Sequence, residues 1–282
     1  MIPKAFGINL FLSLFSVVII SSCSGSGGFN MFSDSEDVKL GHDVSAEMLN
    51  NQNEYPVFRG DPSIKNYINQ RIFQQILTSP KIAKKNVYDY KMELIADDNT
   101  LNAFALPGGN VYIYTGLLKY LDSEAALAGV LGHEIAHAER RHATQRMTKY
   151  YGVQFLVGMV LGSQPSKIAE VASNLFVGIA FLANSRADED EADKYSVEYL
   201  KDTRFYPGAV KFFFEKMRDD GTVSSKSSKV ATFLSTHPDP INRIAKTNER
   251  LQGSGIVIKD WKSNDANVFR NEYAVNIKNK LP

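Results

Sequence analysis

Two histidines and a glutamate in residues 131–137 have the spacing that a metal site requires. His133, Glu134 and His137 form a complete H-E-x-x-H pattern. On a helix, positions four apart lie one above the other, so the two imidazoles point to one place. Glu134 lies about 100° around the helix, where its carboxylate can reach a metal-bound water rather than the metal. Catalytic zinc sites use three protein ligands and a water, so the pattern predicts such a site with one ligand still to be found.

The segment that follows the motif does not supply the third ligand. It opens with a capping serine and good helix formers and contains no proline, so we predict one helix over residues 123–147. The longer pattern H-E-x-x-H-x-x-G-x-x-H fails because Arg140 and Ala143 occupy its glycine and third-histidine positions. His142 lies about 140° around this helix from His137 and cannot share its metal. It is predicted to be a surface or packing histidine.

A second acidic segment offers the other common solution, a glutamate from a second helix. Glu189 and Asp193 form an E-x-x-x-D pair within residues 184–193, on one helical face. Glu189 can bind the metal, while Asp193 can accept a hydrogen bond from the free ring nitrogen of a ligating histidine. The alternative is an ordinary solvated helix face.

Periodicity predicts the helices that surround these residues. Isoleucines at positions 64, 68, 72 and 76 repeat every four residues and give one buried stripe. Besides the motif helix, helices are expected over 35–50, 61–77, from Pro207 onward, and over 241–251, with a polar loop over 219–229 and at most one short helix in the tail. The apolar stretches 153–161 and 171–183 fall short of the roughly 20 residues that cross a bilayer and are predicted to be buried core helices.

A small antiparallel sheet is predicted directly before the motif helix. Apolar and polar residues alternate over 88–94, and the short runs 103–106 and 111–114 read as two more strands. Pro107-Gly108-Gly109-Asn110 joins the last two as a hairpin turn. The fold class is therefore α+β and mainly helical. An edge strand beside a metal can bind an extended peptide by adding it to the sheet, although simple core structure is the alternative.

Composition describes an ordinary globular protein that does not bind nucleic acid. Of 282 residues, 44% are hydrophobic and 22% charged, and the formal net charge is +1. Removing residues 1–22 takes away only Lys4, which leaves 31 basic and 31 acidic residues. A neutral chain without a long basic run has no electrostatic footprint for nucleic acid.

The first residues resemble a bacterial lipoprotein signal peptide. Lys4 is followed by an apolar core over 6–20 and by Ile20-Ser21-Ser22-Cys23, which resembles a lipobox. Cys23 is the single cysteine, and lipid attachment would explain a lone thiol in a secreted protein. We expect a signal peptide over 1–22 and a flexible lipid-anchored tether over 23–33. An ordinary cleaved signal or an N-terminal membrane anchor are the alternatives.

Five segments resemble the gluzincin zinc peptidases of the M48 type, the family of HtpX, the CAAX prenyl proteases and BepA. They occur in family order and span most of residues 33–251: N-A-F-A-L-P-G-G at 102–109, G-L-L at 116–118, G-H-E-I-A-H at 132–137, S-R-A-D-E-D-E-A-D at 185–193, and His237-Pro238. The resemblance implies a zincin fold, with a metallopeptidase domain over 34–252 and a C-terminal extension of the same domain over 253–282.

Carried over residue by residue, the resemblance implies one Zn²⁺ bound by His133, His137 and Glu189, with Glu134 as general base. It further implies that Asp193 orients a ligand and that His237 stabilises the transition state or occupies the site at rest. The substrate would lie along an edge strand and its turn, formed by Asn102, Ala103, Phe104, Ala105, Gly108 and Gly109.

The expected function is a membrane-anchored zinc endopeptidase that acts on protein or peptide substrates in envelope protein quality control. Through Cys23 it would lie in the bacterial cell envelope, at the outer membrane facing the periplasm, with the envelope assembly machinery as a candidate partner. The chain lacks the membrane spans of HtpX and the repeat domain of BepA, so substrate and regulation stay open. The alternative is an envelope chaperone or binding lipoprotein with a structural or latched zinc site.

Overall fold

Helices predominate in the computed structural model of the protein, which describes residues 29–149, 152, 184–224 and 228–282. The predicted class, α+β and mainly helical, is confirmed. The helices are α1 (Asp34–Asn50), α2 (Pro62–Ile68), α3 (Gln74–Leu77), α4 (Thr115–Tyr120), α5 (Glu124–Glu139), α6 (Arg186–Leu200), α7 (Val210–Asp219), α8 (Ser228–Thr236), α9 (Pro240–Gly253) and α10 (Arg270–Asn276). Within the described ranges, no helix is both long and apolar enough to span a bilayer. Cys23, the signal peptide and the predicted helices over 153–161 and 171–183 lie outside the described residues.

The sheet has three strands, β1 (Lys91–Ile95), β2 (Ala103–Ala105) and β3 (Asn110–Tyr114), in the order β1-β3-β2. The predicted β2–β3 hairpin is confirmed, because these strands pair antiparallel. The prediction of a wholly antiparallel sheet is wrong, because β1 and β3 run parallel. The tight turn between β2 and β3 folds them back on each other, while residues 96–102 carry the chain past β3 to the far edge. The sheet is therefore mixed.

The N-terminal helices follow their local signals. α1 begins one residue before the predicted start, because Ser33 caps it: its hydroxyl accepts from the Glu36 amide at 3.2 Å, and the Glu36 carboxylate accepts from the Ser33 amide at 2.6 Å. Asp61 caps α2 through the Ser63 amide at 2.8 Å. The predicted isoleucine stripe is confirmed, since all four side chains are fully buried in the main core. A π-helical segment, Asn69–Phe73, joins α2 to α3 within this stripe.

Helix α5 runs through the centre of the core. Its cap is Ser123, whose hydroxyl accepts from the Ala126 amide at 3.1 Å, and every residue of the helix is buried. The prediction of one helix through residue 147 is wrong, because α5 ends at Glu139 and residues 142–149 form a separate helical segment. Arg141 adopts left-handed backbone angles, with φ 62°, and breaks the helix there.

The C-terminal part completes the core around α5. α7 begins three residues after Pro207, and α8 begins inside the stretch that was expected to be a polar loop up to residue 229. The short helix allowed for in the tail is present as α10. Its Tyr273 is fully buried, and the phenol donates to the Leu118 carbonyl at 2.6 Å. Residues 253–282 therefore pack against the same core as α5.

Candidate active site

Close packing of α5 on α6 brings the predicted ligands together. A Cβ on Gly132 of α5 would lie 2.8 Å from the Ser196 hydroxyl of α6. That hydroxyl donates to the Gly129 carbonyl at 2.8 Å, so the two helices approach closely only because these positions are small. Ser185 caps α6 in a capping box and places Glu189 in its first turn. The acidic segment is thus buried in part against α5 and is not simply a solvated face.

Four side chains converge on one point. The ligand atoms of His133, His137, Glu189 and His237 all lie within 4.8 Å of one another, and all four residues are buried. The Nε2 atoms of His133 and His137 are 2.9 Å apart. Glu189 approaches them at 3.4 Å and 3.3 Å, respectively. His237 follows α8 directly and stacks on the Phe233 ring at 4.8 Å between centroids, which holds its imidazole in the cluster.

Asp193 lies where it can orient His133. The Nδ1 atom of His133 is 2.9 Å from Asp193 Oδ1, so a proton on Nδ1 leaves the Nε2 lone pair for the cluster. Arg243 of α9 donates twice to the same carboxylate, at 2.6 Å and 2.7 Å, and is itself 4% exposed. One of its terminal nitrogens also lies 2.5 Å from Glu189 Oε2, as an ion pair. The sequence alone did not predict a role for Arg243. The only signal in the sequence is its position, six residues after His237.

Glu134 stands beside the cluster and outside its ligand set. Its carboxylate is 3% exposed, and His237 Nε2 lies 3.8 Å from it. Burial raises the pKa of Glu134, although His237 and His133 act in the opposite direction. A carboxylate with a raised pKa is a stronger base, which suits proton transfer near neutral pH.

Burial and neighbouring charges set the protonation of the other groups. Burial and Arg243 oppose protonation of His133, but Glu189 and Asp193 outweigh them and raise its pKa to about 9. Burial and the His133 charge lower the pKa of His137 well below its usual value. Burial would raise the pKa of Glu189, but Arg243, His237 and His133 hold it well below its usual value. Glu189 is therefore a carboxylate, and His137 a neutral imidazole, at neutral pH.

His142 is a buried packing histidine, which is one of the two alternatives predicted for it. It is 1% exposed and is therefore not a surface histidine. Its Nδ1 lies 2.7 Å from Nδ1 of His137, and its Nε2 lies 3.0 Å from Glu191 Oε2. The separation of 140° assumed a continuous helix, whereas the break at Arg141 redirects the following residues. The prediction that His142 does not join the four converging side chains agrees with the geometry.

Strand β2 forms part of the wall of a cleft that reaches the cluster. The side chains that line this cleft include Asn102, Phe104, Ala105, Glu134, His137 and His237. β2 pairs with β3 on one side and is an edge of the sheet among the described strands. Its other edge therefore has main-chain groups that an extended peptide can pair with.

The other three predicted substrate residues lie away from the cleft wall. Ala103 is 2% exposed and belongs to the main core. Gly108 and Gly109 have φ of 77° and 98°, so the turn requires glycine at both positions. A Cβ on Gly108 would lie 2.6 Å from Val38 Cα of α1, and one on Gly109 would lie 2.7 Å from the Tyr90 ring. These glycines shape the turn and seat it on α1.

The donor set fits a divalent metal ion. Two imidazoles and a carboxylate, all buried, are ligands that zinc and similar metals accept. With protons on both Nδ1 atoms, the Nε2 lone pairs of His133 and His137 lie 2.9 Å apart and can be shared by one metal ion, while in its absence a proton on His133 can bridge the same two atoms. The fold and this site define the class of the protein, which is a metallopeptidase of the H-E-x-x-H type.

The chain belongs to peptidase family M48, which matches residues 63–251. The mitochondrial metalloendopeptidase OMA1 of Schizosaccharomyces pombe is 30% identical over 226 residues, which cover 79% of this chain and 63% of that protein. The β-barrel assembly-enhancing protease of Escherichia coli is 28% identical over 199 residues, which cover 67% of this chain and 39% of that protein. The chain thus spans less than two thirds of either relative. The predicted family resemblance is confirmed.

Proposed function

We propose that this protein is a zinc-dependent endopeptidase that hydrolyses peptide bonds of protein substrates. The observation that carries the proposal is a division of roles among buried side chains. His133, His137 and Glu189 offer ligand atoms to one point, while Glu134 is held beside them, outside the ligand set, with a raised pKa. A purely structural metal site has no use for such a base.

The site residues have complementary roles in peptide hydrolysis. His133, His137 and Glu189 would hold the zinc, which supplies a water of lowered pKa and polarises the substrate carbonyl. Glu134 would accept the proton of the attacking water and deliver it to the leaving amine. His237 would donate a hydrogen bond to the developing oxyanion, a contribution of about 3 kcal/mol for such a donor. The outer edge of β2 would hold the substrate in an extended form.

A second candidate is a chaperone or binding protein whose site is kept closed by His237. The observation that favours it is the place of His237 inside the cluster, with Nδ1 only 3.2 Å from Glu189 and 3.4 Å from His133. In that arrangement the histidine takes up a ligand position that the attacking water would need. Movement of His237 would then open the site.

An envelope location is part of the same proposal. Residues 1–22 have the pattern of a lipoprotein signal, and lipid on Cys23 would anchor the domain by the tether 23–33. The name of the Escherichia coli relative, a β-barrel assembly-enhancing protease, supports a role in envelope protein quality control at the outer membrane. Wild type should incorporate labelled fatty acid and Cys23→Ser should not, and a wild-type protein that takes up no label would refute the lipid anchor.

The deciding experiment measures zinc content and casein cleavage side by side. The proteins are wild type, Glu134→Gln, His237→Ala and, as a matched control, Glu198→Gln, a glutamate of α6 that pairs with Lys81 at 2.6 Å. Zinc in all four, with cleavage lost only in Glu134→Gln and weakened in His237→Ala, is the expected result. Cleavage by His237→Ala alone would establish the closed site. Zinc without cleavage in any protein would favour the binding function, and absence of zinc would refute both.

A further inference from the structure

A chain of three side chains leads from His137 away from the metal cluster to a carboxylate on α6. His137 Nδ1 contacts His142 Nδ1 at 2.7 Å, and His142 Nε2 contacts Glu191 Oε2 at 3.0 Å. We propose that His142 is the positioning residue of His137, and that Glu191 acts on the ligand through it. The inference rests on the proposed metal site and names the groups that orient one of its ligands.

If His137 binds a metal through Nε2, the donors and acceptors of these three side chains allow one arrangement of protons. To offer its Nε2 lone pair to a metal, neutral His137 must carry its proton on Nδ1. That proton can only be donated to His142 Nδ1, which must then be the unprotonated nitrogen of a neutral ring. The proton of His142 therefore lies on Nε2 and is donated to the Glu191 carboxylate. Both contacts, His137–His142 and His142–Glu191, are satisfied in the tautomer in which His137 offers Nε2 to a metal.

The local backbone holds His142 in this position. Arg141, directly before it, adopts φ 62°, a conformation that is unfavourable for a non-glycine residue. The Arg141 guanidinium donates to the buried Asp37 carboxylate of α1 at 2.6 Å and 3.2 Å, which secures the turn. Glu191 is held from the other side by Arg140, at 3.0 Å and 3.1 Å. Two adjacent arginines thus fix both ends of the contact.

The arrangement parallels the one at the other histidine ligand. His133 donates directly to Asp193, whereas His137 reaches Glu191 by way of His142. Both carboxylates, like Glu189, come from α6. Outer carboxylates of this kind orient a ligating histidine and raise its basicity, and their loss weakens metal binding by about 10–100-fold. On this view α6 supplies one metal ligand and orients both histidines.

The test measures zinc affinity of the full-length protein by competition with a chelator, and the visible spectrum of the cobalt-substituted protein. His142→Phe keeps a planar aromatic ring and removes the acceptor, so it should weaken zinc binding about 10–100-fold and shift the cobalt spectrum. His142→Asn keeps an acceptor near the Nδ1 position and should recover most of the affinity. Glu191→Gln should also weaken zinc binding. If His142→Phe does not fold, the comparison of Glu191→Gln with His142→Asn replaces it as the test.

Tyr90→Phe is the matched control. The Tyr90 phenol donates to Glu139 of α5 at 2.6 Å, two residues from His137, but contacts no ligand. It should change stability and leave zinc affinity within about threefold, which separates positioning from general loosening of α5. If His142→Phe binds zinc as tightly as a wild type that cleaves casein, the positioning role is refuted and the peptidase stands. A wild type that binds no zinc refutes both.

Discussion

Replacing Arg243→Met should destabilise the metal-free protein severely. Arg243 is 4% exposed and compensates two buried carboxylates, Asp193 through two hydrogen bonds and Glu189 through an ion pair at 2.5 Å. Removing one partner of a buried pair and leaving the charge behind costs about 3–5 kcal/mol. For a domain of this size, that corresponds to a decrease in Tm of roughly 6–20 °C. Methionine fills similar volume, so the loss is mainly electrostatic.

Urea denaturation with a chelator, and again with excess zinc, measures this effect. In the proposed site, zinc would bind the folded protein and bring positive charge to Glu189, so the deficit of Arg243→Met should shrink when zinc is present. Arg250→Met is the control, seven residues along the same helix. Its partner Asp190 is 35% exposed and keeps Lys246 at 3.1 Å, so this loss should be about 0–1 kcal/mol.

A double substitution separates charge from packing. Arg243→Met with Asp193→Asn removes one of the two uncompensated carboxylates and should recover part of the stability of Arg243→Met alone. A loss for Arg243→Met no larger than that for Arg250→Met would refute the reasoning. It would mean that the carboxylates are compensated without the guanidinium.

Two further predictions concern α5. In the metal-free protein, Glu134→Gln should raise stability by about 0.5–2 kcal/mol at neutral pH. Burial raises the pKa of Glu134 in the folded protein above its value in the unfolded chain, so wild-type stability falls as pH rises between these two pKa values. The gain from Glu134→Gln should therefore vanish in acid, where the carboxyl is protonated in both states. Urea denaturation that gives an equal gain at pH 3 and pH 7 would contradict this. Gly129→Ala should lower the free energy of unfolding by about 1–3 kcal/mol, because its Cβ would lie 2.4 Å from the Val210 amide nitrogen of α7. A Cβ on the control Gly253→Ala meets nothing within 4 Å, so this variant should be neutral or slightly stabilised. Equal thermal stability of the two variants would rule out the close contact at Gly129.

The convergence of the proposed ligands on α5, with the proposed base beside them, was predictable because their geometry is local. His133, Glu134 and His137 lie within one helical turn and a half, so their spacing alone fixes their relative directions. Glu189 is distant from these residues in sequence. Its residue type and spacing allowed either a metal ligand or part of a solvated helix face, and the family resemblance favoured the ligand. Its burial against α5 now gives a physical basis for that selection.

The burial of His142 and the role of Arg243 could not be predicted because both depend on long-range contacts. The direction of His142 follows from the left-handed backbone of Arg141, which a buried aspartate on α1 stabilises across 104 residues of sequence. Helix propensity favours a continuous helix there, and only the tertiary contact overrides it. Arg243 lies in an ordinary amphipathic helix, and its burial depends on how α9 packs on α6. The parallel pairing of β1 and β3 is also non-local.

Charge balance explains why the pKa values of the cluster shift as they do. With neutral histidines, the buried carboxylates of Glu134, Glu189 and Asp193 face the single buried guanidinium of Arg243, which leaves two negative charges unbalanced. Buried charge of that size is costly, so in the metal-free state protons are favoured on His133 and Glu134, the two groups with raised pKa values. A divalent cation supplies the same two positive charges and leaves Glu134 ionised as a base. In the proposed site, metal binding and ionisation of Glu134 would therefore be coupled, and metal uptake should release protons, which calorimetry in buffers of different ionisation enthalpy can detect.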